Sequence, residues 1–240
     1  MLPQQSWDAQ QSFFDAIEKD GMQSYAKTIS NLADAFVLRD RILRCMDEGT
    51  PGGIHAAGSG ILMSKEDAVA FAKRANIEGI TAHSGCGACG LYAKDARIHE
   101  DDPDACGPEW AQSFSESIHV PYAGNITANQ MARPPEYHIA RIAYYDGTGS
   151  FDFSRAPTLP PGFVISRAYL DSSYALKEMN VAVAIALGHH GFGELFTKEH
   201  PFRLVAIAQT ADELASLQAE LESVVALSDG RVVVDGFVSK

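Results

Sequence analysis

Apolar residues recur at helical spacing near the start of the chain, at Phe13, Phe14 and Ile17, so residues 1–35 read as an N-terminal helical segment. The run DRILRCMDEG is different: a short apolar stretch stopped by acidic residues and glycine, which predicts a strand over residues 41–46. GIHAAGSGIL is a second short run of small residues. In SKED, Ser64 can cap a helix over residues 65–76, with Asp67 at the third position as a variant of the capping box. EGITAH returns as a strand, and GACGLYAKDARI can begin a helix straight after it. EYHIARIAYYDGTGSFDFS predicts a strand, a turn at Asp146-Gly147 and a second short strand, and PGFVISR predicts another. SSYALKEMNVAVAIALG has the length of a buried helix, FRLVAIAQ reads as a strand, and TADELASLQAELESVVAL is an amphipathic helix with Thr210 and Glu213 as its capping box. RVVVDGFV closes the chain as a strand. Strands alternating with helices predict an α/β fold, an open, mostly parallel sheet flanked by helices, with antiparallel edges.

Composition narrows the picture. With 240 residues and 46% hydrophobic composition the chain can bury a sizeable core, and no linker, repeat or low-complexity run divides it, so residues 1–240 are expected to form one domain. The N-terminus has neither the basic start nor the apolar core of a secretory signal, and the longest apolar run, near Val181 to Leu187, is too short to span a bilayer. A soluble, cytoplasmic protein is expected. The net charge of −12 argues against nucleic-acid or anionic-membrane partners, which need clustered Lys and Arg, and leaves a small-molecule substrate or another protein. Four cysteines, Cys45, Cys86, Cys89 and Cys106, read in a reducing compartment as metal ligands, redox thiols or buried small side chains.

In open α/β sheets, sites collect beyond the C-terminal ends of the strands. Two predicted strands end in chemistry of that kind, at Cys45-Met46-Asp47 and at His83-Ser84-Gly85-Cys86. Cys45 and Asp47 are two apart and share a side of an extended chain. His83 and Cys86 are three apart across a glycine, a spacing at which a chain turning into a helix can aim both side chains at one point. Two thiolates, an imidazole and an open position suit tetrahedral Zn²⁺. Two thiolates cancel most of the metal's charge, which raises the value of an acceptor that orients its bound hydroxide; Asp47 is the local candidate, with Glu48 beside it.

At these residues the chain resembles the β-class carbonic anhydrases. That family carries Cys-x-Asp-x-Arg at one strand end and His-x-x-Cys at a later one, here CMDEG and HSGCGA, with HAAGSGIL between them and a weaker echo in YYDGTGSFD. The resemblance covers roughly residues 40–95. It implies a parallel-rich α/β fold, zinc held by Cys45, His83 and Cys86, Asp47 as the catalytic carboxylate, and dimers with sites near the subunit interface. Carbon dioxide hydration to bicarbonate through zinc-bound hydroxide is the activity implied. Ala57, Gly58 and neighbouring small residues are then candidates for the substrate pocket, and backbone N–H groups near Gly87 for a product oxygen. One departure removes chemistry: Gly49 stands where the family has the arginine that holds the aspartate off the zinc. Asp47 is then free to bind the metal unless Arg39, Arg41, Arg133 or Arg141 replaces that cation. With Asp47 on the metal, hydration should be low at neutral pH and rise above about pH 8.

Other readings use the same residues. A zinc-binding family member without hydratase activity is one, and a hydrolase of carbon disulfide or carbonyl sulfide is another. Cys86-Gly-Ala-Cys89 is also a C-x-x-C at a helix start, the position of a redox thiol. His189-His190 lies in a glycine-rich loop after a helix, either functional or held by the helix dipole, and His55 sits beside AAGSG where it can line a pocket.

Overall fold

Two stretches of short, apolar strands, each covered by helices, organise the chain. The computed structural model describes residues 3–99, 102–226 and 228–239. The first two residues of the expected N-terminal segment and Leu227, at the end of the expected last helix, lie outside them.

The first sheet contains β1 (Ile42–Arg44), β2 (Ile54–His55), β3 (Gly79–His83) and β4 (Tyr122–Ile126) in the order β2-β1-β3-β4. The second contains β5 (Ile142–Asp146), β6 (Phe163–Ile165), β7 (Phe202–Ala208) and β8 (Val232–Val238) in the order β6-β5-β7-β8. Every strand pair in both sheets is parallel. The expected antiparallel edges are therefore absent among the described residues, and the strands divide between two sheets. Both sheets run in the same order, with the second strand outermost, then the first, third and fourth. Parallel strands covered on both faces carry near-continuous apolar runs, and β3 and β5 are buried at every position. Edge strand β4 alternates half-buried with exposed residues.

The sheets meet where β1 and β2 end. Val164 N–H donates to the Met46 carbonyl at 2.9 Å, and Ser166 Oγ accepts from His55 N at 2.9 Å. One buried cluster runs through both, from Leu43 and Ile80 to Phe163 and Leu204.

Helix α1 (Pro3–Ala9), α2 (Gln11–Asp20) and α3 (Met22–Thr28) form the N-terminal segment, with Gly21 at φ 77° breaking α2 from α3. Phe14 and Ile17 are fully buried, and Met22 N–H donates to Asp235 on β8 at 2.9 Å. Helix α4 (Lys65–Ala75) begins behind Ser64, whose Oγ accepts from Asp67 N as expected. Then follow α5 (Gly87–Ala96), α6 (Pro103–Ile118), α7 (Ser172–Leu187) and α8 (Ala211–Val225), the last capped by Thr210 and Glu213. No helix among the described residues is long and apolar enough to cross a membrane.

Three local expectations change. Strand β1 is shorter than residues 41–46, because the chain leaves the sheet at Cys45. The second strand after the Asp146-Gly147 turn is a 3₁₀ turn, Phe153–Arg155, in which Asp152 Oδ1 accepts from both Ser154 N and Oγ. Helix α6 and strand β4 carry no clear periodic pattern in the sequence and were not expected.

Candidate metal centre

Cys45 follows β1 directly, His83 ends β3, and Cys86 is the residue before the first turn of α5. Neighbouring parallel strands thus bring their C-terminal ends, and their ligands, together. The three ligand atoms lie within 4.8 Å of one another, and all three residues are buried. Cys45 Sγ and Cys86 Sγ are 3.9 Å apart. Two sulfurs on one tetrahedral zinc, each at about 2.3 Å, sit about 3.8 Å apart. His83 Nδ1 donates to the Ser84 carbonyl at 3.0 Å, so the lone pair of the neutral form falls on Nε2, and that nitrogen is buried without a hydrogen-bond partner among the described residues. The three residues can hold a metal ion, and the orphaned Nε2 is what a metal would satisfy.

Electrostatics agree. The Cys86 thiol, and then burial, hold the Cys45 pKa well above its ordinary value. Two thiolates this close repel one another, and a cation between them relieves that cost. Burial favours a neutral His83, but Cys45 and Asp47 outweigh it and push its pKa up to about 9. A pocket negative enough to hold that proton also attracts a metal cation. Gly58, at φ 53°, turns its N–H onto Cys45 Sγ at 3.2 Å, a contact that favours thiolate.

The missing arginine is replaced from elsewhere in the chain. Arg133 grips Asp47 with two bonds, Nε to Oδ1 and Nη2 to Oδ2, both 2.8 Å. Gly49 N–H adds a third, to Oδ1 at 2.8 Å. Burial alone would raise the Asp47 pKa, yet Arg133, His138 and His83 together hold it well below the carboxylate range. Its Oδ2 stops 3.9 Å from His83 Nε2, beside the ligand cluster. The expectation that Gly49 leaves Asp47 unheld is corrected here. A Cβ on Gly49 would lie 2.9 Å from Arg133 Cγ and 2.5 Å from Met131 Cε, so the incoming arginine occupies the space of a side chain at 49. The other candidates are engaged elsewhere or exposed: Arg41 donates to the Ala75 carbonyl, Arg141 stacks on Trp7, and Arg39 is exposed.

Glu48 faces away from the cysteines. Its Oε1 accepts from Ile139 N at 2.7 Å and its Oε2 lies 3.0 Å from His138 Nδ1. Asp47, Glu48 and His138 are close enough to chelate a cation. Arg133 already supplies the positive charge there, so the trio is an ion-pair network.

A cavity of about 440 Å³ opens beside the cluster, lined among others by Cys86, Gly87, Arg133, His138, Ile185 and His190. A more apolar groove of about 530 Å³ shares Gly87, Ile185 and His190 with it and continues over Leu91, Val181 and Ala184. Gly87 lines both, at the first turn of α5, where N–H groups lack intrahelical partners. Ala57 and Gly58 are buried behind the cysteines and border neither space. His190 lines the cavity, and its carbonyl accepts from His138 N; His189 lines the groove and not the cavity. His55 is an internal strut: its Nδ1 is 2.7 Å from the Cys45 carbonyl, and burial holds its pKa down at about 4. Cys89 and Cys106 are buried. Cys89 Sγ packs 3.3 Å from where a Cβ on Gly58 would stand.

His138 escaped sequence reasoning altogether. The strand expected to begin in EYHIAR starts only at Ile142, so His138 lies in the proline-containing loop before β5, the kind of segment that carries functional side chains on a rigid frame. Compared with protein-family models, with curated proteins and with solved structures, the chain gave no match in any of the three.

Proposed function

We propose that the chain is a zinc enzyme hydrating carbon dioxide to bicarbonate, with Cys45, His83 and Cys86 as ligands. The observation that carries this reading is Asp47, pinned by Arg133 with Oδ2 only 3.9 Å from His83 Nε2. A carboxylate locked that way is kept from closing the metal's fourth position. It is an acceptor for the proton of an attacking nucleophile, fixing the direction of the attacking lone pair. Zinc bound there supplies the Lewis acidity that makes water a nucleophile near neutral pH. Arg133 keeps Asp47 ionised and oriented through Nε and Nη2, while its Nη1 donates to the Pro134 carbonyl at 2.8 Å and so anchors the guanidinium. Gly87 and the first turn of α5 present N–H groups and the positive end of a helix dipole to the cavity, where an anionic product gains from both.

The apolar groove running into the cavity favours a second substrate of the same shape, carbonyl sulfide or carbon disulfide, attacked by the same nucleophile. Stopped-flow assays on zinc-replete protein between pH 6.5 and 9 test both. Because Asp47 is held off the ligand cluster, hydration is expected to be present already at neutral pH, and Asp47→Asn to lose it by about a hundredfold. Turnover of a sulfur substrate without carbon dioxide hydration would favour the second reading. Zinc-replete protein inert towards all three would overturn both.

A further inference from the structure

The second cysteine of Cys86-Gly-Ala-Cys89 has no part in the hydration chemistry, yet it sits against the ligand cluster. Cys86 is the residue before the first turn of α5 and Cys89 lies in that turn, with only the small residues Gly87 and Ala88 between them. Side chains at these two positions of a helix start meet, as they do in a capping box. The Cys45 thiol lowers the Cys86 pKa, but contact with the Cys89 thiol, and then burial, leaves it well above its ordinary value. Cys89 Sγ fills a hollow left by two glycines: a Cβ on Gly107 of α6 would stand 3.1 Å from it, and one on Gly58 3.3 Å. Of the four cysteines, Cys86 lines the cavity, while Cys45, Cys89 and Cys106 border neither it nor the groove. A small solute entering the cavity therefore meets Cys86 first.

We infer that Cys86 and Cys89 form an oxidisable dithiol, in which a hydroperoxide converts the ligand Cys86 into half of a disulfide and so discharges the metal. The inference rests on the metal centre proposed above. Cys86, as a thiolate, attacks the near oxygen of hydrogen peroxide; the O–O bond breaks and hydroxide leaves. The Cys89 sulfur then attacks the Cys86 sulfenic acid, the S–S bond forms, and water leaves with the Cys89 proton. Two electrons pass from the two sulfurs to the peroxide. Cys45 and His83 are then the ligands left, too few to keep zinc. A dithiol reductant breaks the disulfide by exchange and restores the third ligand.

Cys45 is a rival partner, with its Sγ 3.9 Å from that of Cys86, but that gap is the span of two ligands on one ion, and a disulfide must close it to about 2.0 Å. Closing it would pull the end of β1 onto α5 and disturb the contact of Gly58 N–H with Cys45 Sγ at 3.2 Å. The bond from Cys86 to Cys89 is confined to one helical turn. Cys106, on α6, is the other rival: it is buried, and burial, then Glu109 and Cys86, raises its pKa.

The test treats reduced, zinc-loaded protein with hydrogen peroxide, follows zinc release with a chromogenic chelator and weighs the tryptic peptides. Wild type is expected to release its zinc while the peptide of residues 75–94, which contains both cysteines, loses two hydrogens. A dithiol and added zinc should then restore the zinc-loaded form. Cys89→Ser and Cys89→Ala are expected to hold zinc before treatment. Without a resolving thiol Cys86 passes on to sulfinic acid, so the zinc regained after reduction should fall at least about fivefold in both. Native circular dichroism checks that the variants fold, and the wild-type peptide map stands independently of them. A Cys86 disulfide to Cys45 or Cys106 in place of Cys89, full recovery in both Cys89 variants, or zinc retained through the peroxide treatment would each overturn the dithiol while leaving the metal centre intact. Reduced wild type without zinc would overturn both.

Discussion

Gly49 shows how much of a site one residue can conceal. In the sequence it looks like the loss of a catalytic cation; in the structure it is the space through which Arg133 reaches Asp47, 86 residues before it. The cluster of Cys45, His83 and Cys86 was legible because Cys45 and His83 lie at the ends of neighbouring strands and Cys86 follows His83 by three residues into a helix start. Arg133 was only one of four candidates, and His138 was not seen, because side-chain pairing across long separations leaves no periodicity to read. Removing Arg133 leaves a buried carboxylate without its partner, so Arg133→Ala is expected to cost about 3–5 kcal/mol in denaturant unfolding. A loss under 1 kcal/mol would mean that the pair is not the anchor described. Glu178 offers a test with a defined sign. It is buried on α7 with Oε2 unpartnered, and burial pushes its pKa from 4.5 up to about 8. The native state therefore holds a proton that the unfolded chain releases. Its contribution is complete below pH 4.5 and is lost as pH rises towards 8. Glu178→Gln should remove that slope and be the more stable protein at pH 8, by on the order of a few kcal/mol. Parallel stability curves from pH 4.5 to 8 would contradict it.

Among the elements, those with strong periodicity or clean caps were legible: α2, α4, α7, α8 and the strands β3, β5 and β7. Helix α6 was hidden by its own composition, with Gly107 and Pro108 inside it, and β4 by a polar YAGNI with Gly124 at φ 99°. The strand expected around Phe151 and Phe153 failed for another reason. Both rings are buried in the core under α2 and α3, so their alternation reports packing beside a turn and not strand pairing. The N-terminal helices are held by an unusual joint: the Arg141 guanidinium lies 3.6 Å from the Trp7 ring centroid and 3.9 Å from that of Phe14. Trp7 also meets Phe192 and Phe196 edge-on. Trp7→Ala should cost about 3–5 kcal/mol and speed amide exchange in α1 and α2 before it does so in β5 or β7. Uniform exchange across those elements would show that the segment is not docked as a unit.

At the scale of the whole molecule, both sheets share a strand order, yet the Cys45-His83-Cys86 cluster that could hold a metal comes from the first alone. After β1 the Asp47 carboxylate accepts the N–H two residues on, and at the end of β5 Asp146 does the same with Thr148. Helix α5 starts behind Cys86 and α8 behind Thr210. The second half repeats the layout without the sulfurs, so each chain is expected to hold one zinc. Apolar positions in the N-terminal segment are largely covered by the chain's own core. A homodimer or a higher even oligomer is proposed on the resemblance, and light scattering should give an even multiple of 25.9 kDa; a monomer at micromolar concentration would contradict it. The most direct test of the central claim is zinc content per chain in the purified protein and four variants. Near one equivalent is expected in the wild type and in Cys89→Ser, with loss in Cys45→Ser, His83→Ala and Cys86→Ser. Full zinc retention in any two of those last three would contradict the metal centre.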